Sequence, residues 1–397
     1  MHRDDKRTLR EAIRRRARAL HFDEVAFIPA ERLPTERAYQ EWLSEGRQGG
    51  MHYMGNHQPL RVDPAAMEPG TKSVVVMLNN YYQPLDLLEG GVRICRYAQG
   101  DDYHDRLWDR MRTLAAFIHG ESGVDVATRP AVDTAPLLER DLARQAGLGW
   151  VGKNALLIRQ GLGSYAFIAE ILLDVDISEG PVQEAPDRCG TCSRCIDACP
   201  TNAIVAPRVI DARRCIAYLT IELRGPIPRR LRPLIGDHLF GCDICQEVCP
   251  WNGAAPISDD PMHQTRQVYR ELEPIDLLSF DIRRYGEVFQ KSAMKRAKLR
   301  GLKRNAAVVV GNTGGPSDVE ALLEAFVDEE ESLVRGHIAW AIGQLGDLEA
   351  RRWLELFETD EGDVFVREEI LAAKISIDGR CQPSQSGYSM GQIRTTW

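Results

Sequence analysis

The chain has 397 residues, of which 44% are hydrophobic and 27% are charged, and its formal net charge at pH 7 is −8. This length exceeds what one hydrophobic core usually serves and predicts two or three domains. The composition is that of a globular protein rather than a disordered one, and the lack of any run of 18 apolar residues excludes a helical membrane protein.

The first ten residues pass directly into a basic amphipathic pattern, without the apolar segment of a secretion signal. We therefore expect a cytoplasmic protein that does not associate with membranes. In that reducing compartment the ten cysteines would serve metals or catalysis rather than disulfides.

The first 180 residues alternate between helical and strand-like patterns, with a glycine-rich, loop-like stretch over 39–69. Apolar residues at helical spacing predict helices over 6–20, 107–119 and 137–146. Short apolar runs predict strands over 24–28, 73–78, 126–132 and 165–176. Residues 1–180 are thus predicted to form an α/β domain, which a proline-containing linker over 179–188 connects to the next segment.

A glycine pattern near the end of this domain, Gly147-Leu-Gly149-Trp-Val-Gly152, matches the G-x-G-x-x-G fingerprint of dinucleotide-binding proteins. That fingerprint requires a strand before it and a helix after it. Here a predicted helix precedes the glycines and an apolar run follows them. The sequence therefore predicts no dinucleotide site.

Two cysteine runs define the segment over 181–255. The first run reads Cys189-Gly-Thr-Cys192-Ser-Arg-Cys195-Ile-Asp-Ala-Cys199-Pro, the spacing of a bacterial ferredoxin. The second run reads Cys242-Asp-Ile-Cys245-Gln-Glu-Val-Cys249-Pro and lacks one cysteine, for which Cys215 is a replacement 27 residues upstream. The segment is therefore predicted to be a ferredoxin-like domain with two [4Fe-4S] clusters.

In two-cluster ferredoxins the last cysteine of each run binds the other cluster. We therefore assign one cluster to Cys189, Cys192, Cys195 and Cys249, and the second to Cys199, Cys215, Cys242 and Cys245. The alternative is a pair of zinc sites, because C-x2-C pairs also bind zinc. The third cysteine of the first run and the Cys-Pro steps favour clusters over zinc.

Residues 256–378 have a helical pattern that repeats. Similar segments begin at Leu302, Val334 and Val366, at intervals of 32 residues. Each segment is predicted to be the second helix of a pair, so that the pairs stack into an α-helical domain with HEAT-like repeats. Residues 379–397 are predicted to form a flexible tail in which Cys381 is a free thiol without a role.

Positive charge is concentrated in two stretches of the chain. Residues 208–232 contain seven Arg against two acidic residues, and residues 283–304 contain nine Lys or Arg against one. Such patches suit a polyanionic partner, whereas either stretch alone is more typical of the solvated face of a helix. Because the two stretches flank a predicted redox centre, both interpretations stay open.

These features together resemble the epoxyqueuosine reductase family, over nearly the whole chain. The resemblance rests on the gapped second cysteine run with Cys215, on the order of the three predicted domains, and on short motifs in the first one. These motifs are Arg61-Val-Asp-Pro64, Arg96-Tyr97-Ala98, Asp102-Tyr103-His104, Val132-Asp133-Thr134-Ala-Pro136 and Gly149-Trp150-Val-Gly-Lys153-Asn154.

The resemblance implies a cobalamin-dependent enzyme that performs the last step of queuosine biosynthesis, the reduction of epoxyqueuosine to queuosine at the wobble position of tRNA. Removal of the epoxide oxygen consumes two electrons and two protons, which iron–sulfur clusters do not deliver directly to carbon. In this family cobalamin is reduced to a Co(I) nucleophile, and the two clusters supply its electrons from a reduced flavodoxin- or ferredoxin-type donor.

The resemblance also assigns roles to residues of the first two domains. Asp133 matches the proton donor of the family, a role that predicts a carboxylic acid whose pKa is raised by burial. Cys95 matches a cysteine near the cobalt, and a buried small hydrophobic residue is an equally good interpretation. The other predicted cobalamin contacts are Arg61, Tyr103, His104, Lys153, Ile216 and Asp243. For Tyr103, His104 and Lys153 a role in loop packing is an equally good interpretation.

No motif names the residues that would contact the tRNA anticodon arm, so the two basic stretches supply the candidates. These are Arg224, Arg229, Arg230, Lys295, Arg296, Lys298, Lys303 and Arg304. Phosphate contacts would hold the arm while the modified base turns out into the pocket. No interface stripe is evident, and we expect a monomer.

Two other functions are compatible with parts of the pattern. A corrinoid iron–sulfur reductase of a small molecule, similar to a reductive dehalogenase, would share the cofactors but would not need the basic helical region. A ferredoxin-type electron carrier on a HEAT-like scaffold would leave the first domain and Asp133 without a purpose.

Overall fold

The structure is a computed structural model that describes residues 3–84, 90–123, 125–180 and 183–381. The predicted tail from residue 382 onward, the Cys381 side chain and part of the predicted linker lie outside the described residues. Among the described helices, none has the combination of length and apolar character that a membrane span requires.

The described strands form one four-stranded sheet and three two-stranded sheets. They are β1 (Glu24–Pro29), β2 (Ser73–Asn80), β3 (Arg93–Ile94), β4 (Thr128–Ala131), β5 (Trp150–Val151), β6 (Leu157–Ile158), β7 (Ala166–Leu173), β8 (Ile204–Ala206), β9 (Val209–Ile210) and β10 (His238–Phe240). The larger sheet has the order β1-β2-β7-β4, and all its neighbouring strands are antiparallel.

Helices cover both faces of this sheet and make up the C-terminal region. They are α1 (Arg3–Ala19), α2 (Glu36–Ser44), α3 (Gln58–Val62), α4 (Pro64–Met67), α5 (Tyr103–Glu121), α6 (Glu139–Gln145), α7 (Arg194–Asp197), α8 (Ile216–Ile221), α9 (Arg232–Ile235), α10 (Ile244–Glu247), α11 (Gln267–Arg270), α12 (Pro274–Leu278), α13 (Ile282–Phe289), α14 (Lys298–Thr313), α15 (Val319–Asp328), α16 (Ser332–Leu345), α17 (Leu348–Asp360) and α18 (Val364–Cys381). Short 3-10 helices lie at His52–Met54, Arg96–Ala98, Ala212–Arg214, Arg229–Leu231, Pro250–Asn252, Pro261–His263, Ala293–Ala297 and Pro316–Asp318.

Alternate residues of the sheet face two different apolar layers, as the period of a strand requires. On one face Val75 belongs to the same buried cluster as Ile13 of α1 and Leu107 of α5. On the opposite face Val76 packs in a second cluster with Leu142 of α6. The helices and strands predicted for the first 180 residues are therefore present, with α1, α5 and α6 on the two sides of β1, β2, β4 and β7.

The glycine-rich stretch over 39–69 is more helical than its composition predicted. Pro59 and Pro64 stand in the first turns of α3 and α4, where the missing N–H of proline costs nothing. Asp63 caps α4, because its Oδ1 accepts hydrogen bonds from the backbone N–H groups of Ala65 (2.9 Å) and Ala66 (3.3 Å). The prediction of one long loop is therefore wrong, and short helices divide this stretch.

The three repeated segments of the C-terminal region lie in α14, α16 and α18, which pack side by side. The helix α15 packs on α16, and α17 packs on α18, as predicted for stacked helical pairs. Their classification as HEAT-like repeats stays a prediction.

One continuous apolar cluster runs through all three predicted domains, from Leu9 in α1 through Leu219 in α8 to Ile377 in α18. A buried ion pair reinforces it, because the guanidinium of Arg232 donates to both carboxylate oxygens of Glu369 at 2.8 and 2.7 Å. The boundaries predicted at residues 180 and 255 stay predictions, and the buried core shows no break at either of them.

Candidate active site beside the cysteine-rich segment

Asp133 lies in a turn just after β4, and its own backbone φ is +47°. A residue with a side chain rarely adopts this left-handed conformation, which costs about 1–3 kcal/mol and persists only where the surroundings hold it. Here Glu139, the first residue of α6, accepts a hydrogen bond from the backbone N–H of Asp133 through its Oε1. The turn presents the carboxylate outward, with 54% of the Asp133 side chain exposed.

His104 contacts this carboxylate from the first turn of α5, with Nε2 at 2.8 Å from Asp133 Oδ2. Its other ring nitrogen, Nδ1, lies 2.8 Å from Oδ1 of Asp102. The same Asp102 oxygen caps α5 by accepting the backbone N–H of His104 at 3.1 Å. The imidazole also stacks on the ring of Tyr103, with ring centres 4.0 Å apart. Asp102, His104 and Asp133 therefore form one hydrogen-bonded row, which we call the acid–histidine row.

The charges in the acid–histidine row set the protonation of its members. Burial lowers the pKa of His104, but its hydrogen bonds to Asp102 and Asp133 outweigh burial and raise this pKa to about 9. For Asp133 burial raises the pKa, but the hydrogen bonds from His104 and Tyr103 and the charges of His104 and Arg296 together outweigh burial, so that the net pKa is lowered. The prediction of a raised Asp133 pKa is therefore wrong for this structure, because a cation lies beside the carboxylate.

Cys95 is 5% exposed. It lies on the side of the site that adjoins the second cysteine run, which we call the inner side. Its backbone N–H donates to Phe240 at 2.9 Å, and its sulfur packs against Gly241, where a Cβ would overlap it. Burial raises the pKa of the Cys95 thiol well above its usual value, and the charges of Asp243 and Cys242 add to this shift. The thiol is therefore neutral in this structure and adjoins the second cysteine run.

Tyr97 lies near both Cys95 on the inner side of the site and Asp133 on its exposed side. Its pKa is raised well above the usual value by burial, and then by the nearby charges of Cys95 and Asp133. Its ring also meets that of Tyr103 edge to face, at 5.8 Å between centres. Cys95, Tyr97 and the acid–histidine row therefore form one continuous site.

The other predicted cobalamin contacts fall into two groups. Ile216 and Asp243 are both buried and directly follow the cysteines at positions 215 and 242, so they lie on the second cysteine set. Arg61 donates through Nη2 to the backbone oxygen of Tyr53 at 3.1 Å, and its buried Nε has no partner among the described residues.

Lys153 lies elsewhere. Its ammonium donates to the backbone oxygens of Gly190 (2.7 Å) and Cys192 (2.9 Å), so it holds the loop of the first cysteine run. The neighbouring Asn154 donates to the backbone oxygen of Cys245 at 3.3 Å. Lys153 therefore has the loop-packing contacts of its second interpretation, and its place in a cobalamin site stays a prediction.

The seven cysteines of the two runs and Cys215 include pairs that lie near one another across the runs. Burial raises the pKa of the Cys249 thiol, and the charges of Cys189 and Cys192 in the other run add to the shift. Burial also raises the pKa of Cys242 to about 12, with further contributions from Cys215 and from Cys199. These neighbours agree with the crossed sets and with the use of Cys215, and the ligand assignment itself stays a prediction.

Within the described residues, no three His, Cys, Asp or Glu side chains converge closely enough to hold a single metal ion. A zinc ion needs its four ligands within about 2.3 Å of one point, whereas a cubic cluster is bound at its corners. The preference for clusters over zinc therefore rests on the cysteine spacing in the sequence.

The candidate tRNA contacts divide into exposed and buried side chains. Those that are exposed are Arg224, Arg229, Arg230, Lys295, Arg296 and Lys298. Lys303 is half-buried and pairs with Glu329 at 2.8 Å. Arg304 is 1% exposed and donates to the backbone oxygens of Leu219, Leu223 and Gly225 at 2.7–2.9 Å. The prediction for Arg304 is therefore wrong, because its guanidinium ties α14 to the cysteine-rich segment and does not reach solvent.

Arg296 joins the basic surface to the site. Its guanidinium pairs with Glu222 at 2.7 Å, lies 5.5 Å from the ring centre of Tyr53, and is close enough to Asp133 to contribute to its lowered pKa. The Tyr53 side chain is among the exposed aromatic groups of the structure. A polyanion bound at Arg296 would therefore lie beside Asp133.

Comparison with known proteins identifies the family. One family model, described as a 4Fe-4S double cluster binding domain, matches residues 188–252, and another, described as epoxyqueuosine reductase QueG, DUF1730, matches residues 61–134. The epoxyqueuosine reductase of Xanthomonas campestris pv. campestris is 41% identical over 342 residues, which are 84% of this chain and 95% of the relative. The chain belongs to the epoxyqueuosine reductase family. The Escherichia coli K12 member is 38% identical over 348 residues, which are 86% of this chain and 90% of that relative.

Solved structures of epoxyqueuosine reductases have the same fold. A crystal structure of one with an epoxyqueuosine-modified tRNA-Tyr stem loop superposes with a TM-score of 0.86, at 29% identity, over 94% of this chain and 100% of that one. The Bacillus subtilis enzyme, with its catalytic aspartate loop swung out of the active site, superposes with a TM-score of 0.84 at 28% identity and the same coverage. Membership of this family does not favour the two alternative functions.

Two residues of the site had no role in the sequence analysis. Asp102 caps α5, and Asp is a residue type typical of that position, but the predicted helix began only at residue 107, so the sequence did not place this carboxylate beside His104. Glu139 gives no such signal, because its partner is a backbone N–H of a turn that sequence patterns do not reveal.

Proposed function

We propose that this chain reduces epoxyqueuosine in tRNA to queuosine, the activity after which its family is named. The position of Asp133 carries the proposal. Its carboxylate faces outward beside Arg296, where a nucleotide of a bound tRNA can reach it, while Tyr97 and Cys95 connect it inward to the cysteine sets. One site thus offers an acid, a polyanion-binding surface and a redox centre.

The reaction replaces an epoxide by an alkene, so two C–O bonds break, two electrons and two protons are consumed, and water leaves. An oxygen that departs without a proton would leave as a strongly basic anion, and a positioned acid removes this barrier. Asp133 Oδ2 is the atom from which a proton can pass to the substrate oxygen, because it lies 2.8 Å from the imidazole that can supply it.

We propose two [4Fe-4S] clusters in the crossed cysteine sets and cobalamin at the inner side of the site. The buried Nε of Arg61, which lacks a partner among the described residues, is a donor that a polar group of the cofactor would satisfy. When bound, cobalamin would supply the strongly reducing nucleophile for carbon. Ile216, Asp243 and Cys95 would hold its cluster-facing side, and a reduced flavodoxin- or ferredoxin-type protein would feed the clusters.

We propose that the exposed Lys and Arg side chains of the two basic stretches bind the tRNA around Arg296. The exposed ring of Tyr53 beside this guanidinium suits an unpaired nucleotide, since bases stack on aromatic rings and guanidinium planes. The remaining exposed cations would hold phosphates on either side, which positions the arm without reading its sequence.

The test is replacement of the proton donor. Asp133→Asn keeps the size of the side chain and can still accept from His104, but it carries no transferable proton. We expect turnover of an epoxyqueuosine-containing stem loop to fall by about 10²–10⁴-fold, with the cluster absorption, the cobalamin spectrum and stem-loop affinity retained. Anaerobic single-turnover assays analysed by nucleoside chromatography measure this.

Asp109→Asn is the matched control, because Asp109 lies on the same helix as His104 with 73% of its side chain exposed. This variant should react like the wild type. Turnover by Asp133→Asn at the control rate would contradict the proposed role of the site.

A further inference from the structure

His104 is bonded at both ring nitrogens to groups that present only oxygen acceptors. Nδ1 faces Asp102 Oδ1 and Nε2 faces Asp133 Oδ2, each at 2.8 Å. A neutral imidazole donates from one nitrogen only, so the other would set its lone pair against a carboxylate oxygen. Both contacts are satisfied when the row holds one additional proton, on the ring or shared with Asp133.

We propose that His104 stores the proton that Asp133 delivers to the departing epoxide oxygen, and that Asp102 holds the imidazolium in place. This inference rests on the proposed function and adds to it the source of the proton. In the transfer, the N–H bond at Nε2 breaks and an O–H bond forms at Asp133 Oδ2. This proton then passes to the substrate oxygen, which keeps the electron pair of its broken C–O bond. The electrons for carbon come from the reduced cofactors of the proposed function.

The row returns to its starting state when His104 takes up a proton from water. Water can reach the ring because 28% of the His104 side chain is exposed. After the transfer the imidazole is neutral and Asp133 is again a carboxylate. Uptake of one proton by the imidazole then restores the starting charge of the row. The second proton of the reaction is drawn from solvent in the same way. Storage on a histidine also explains how an aspartate with a lowered pKa can act as an acid near neutral pH.

The groups around His104 support this assignment. Asp102 precedes its helix, Asp133 approaches from the turn after β4, and Glu139 of α6 lies close enough to interact with the charge of His104. Tyr103 covers one face of the ring and also hydrogen-bonds to the Asp133 carboxylate. Arg296 is near enough to Asp133 to help lower the pKa of this carboxyl. The carboxylates on the two ring nitrogens are the groups that raise the pKa of His104.

Asp102→Asn tests the proposal. The asparagine oxygen can still cap α5 and accept from Nδ1, so the helix and the ring keep their places while the negative charge is lost. Without that charge the pKa of His104 should fall from about 9 by at least one unit. Single-turnover rates of the pre-reduced holoenzyme should then decline with rising pH at least one unit earlier than in the wild type.

The expected signature is a rate ratio, variant to wild type, that is at least about fivefold lower at pH 9 than at pH 6. Nitrogen-15 NMR of the oxidised holoenzyme, labelled at histidine, should show one ring titrating near pH 9 in the wild type and at lower pH in the variant. A second variant, His104→Gln, can still donate to Asp133 but stores no proton, so its residual rate should lack this decline.

A variant-to-wild-type rate ratio that is the same at all pH values would overturn the proton store, and so would a His104 that titrates near its ordinary pKa. In either case, turnover by the wild type would leave the proposed function intact. A wild-type holoenzyme that converts no epoxyqueuosine at any pH would overturn the proposed function, and the proton store with it.

Discussion

The cysteine-rich segment and the acid–histidine row lie next to each other, but the chain specifies them in different ways. Seven of the eight cluster cysteines fall within two runs of 11 and 8 residues, so their spacing alone places them around two centres. The row joins Asp102 and His104 at the start of α5 to Asp133 after β4, and it exists only because the fold brings these two elements together. Ligand sets are therefore local in sequence, and the proton-transfer geometry is not.

Burial also acts differently in the two regions. Burial raises the pKa of Cys195, Cys215, Cys245 and Cys249, and that of Cys242 to about 12, so these thiols would lose their protons when a metal centre compensates the charge. In the acid–histidine row the ion pairs outweigh burial, and the pKa of Asp133 is lowered. The first region would need a bound metal centre to become charged, whereas the second pairs two carboxylates with one imidazolium of its own.

The largest effect is expected from breaking one cysteine set at a time. Cys249→Ala should remove the same cluster as Cys189→Ala, and Cys199→Ala the same one as Cys242→Ala, because each last cysteine belongs to the opposite set. Each variant should retain about four of eight irons and show no turnover, since the relay is interrupted. Iron analysis and paramagnetic resonance of the reduced proteins measure this.

Cys95→Ala is the control for these variants, because Cys95 belongs to neither set and is buried beside Gly241. It should retain all the iron of the wild type. If Cys249→Ala instead gave the spectrum of Cys242→Ala, each run would bind its own cluster and the crossed assignment would be wrong.

The same contrast explains how much could be predicted from the sequence. The helices and strands around the sheet follow from local periodicity, and the structure has them. The double-cluster segment follows from cysteine spacing and matches a family model, and its two ligand sets stay predictions. Arg304 was misplaced because a sequence shows charge but not burial, and its guanidinium donates to backbone oxygens of a distant segment. The lowered pKa of Asp133 could not be predicted either, since it depends on a histidine 29 residues away.

An intermediate effect is expected at Glu139, which holds the Asp133 turn. Glu139→Ala removes the acceptor for the Asp133 N–H, and a lost hydrogen bond of about 1–1.5 kcal/mol lets the strained turn leave its place. We expect kcat to fall roughly tenfold, with little change in stem-loop affinity. Glu139→Gln should keep most of the activity, because burial and the charge of Asp133 raise the pKa of Glu139 to about 8 and a neutral amide oxygen can replace it. Equal losses in both variants would show that the charge of Glu139, not its hydrogen bond, matters.

The smallest effect on catalysis is expected at Glu170, which lies under α6 in the middle of β7. It is 0% exposed, it stands opposite Ala131 of β4, and neither of its carboxylate oxygens has a hydrogen-bond partner among the described residues. Burial raises its pKa well above the usual value, and the charge of Glu139 adds to this. Glu170 is therefore neutral in the folded protein and ionises on unfolding.

A group whose folded pKa is raised releases its proton on unfolding, so its contribution to stability is present at low pH and lost as pH rises above its unfolded pKa of about 4.3. Glu170→Met removes both this proton release and an unsatisfied polar group, worth about 1–3 kcal/mol. We expect a higher thermal midpoint, by roughly 2–4 °C at pH 8 and less at pH 5, with turnover close to wild type. Glu170→Gln removes only the ionisation, so its thermal midpoint should rise less. A loss of turnover in both variants would mean that this carboxyl supports the acid–histidine row and does not only destabilise the core.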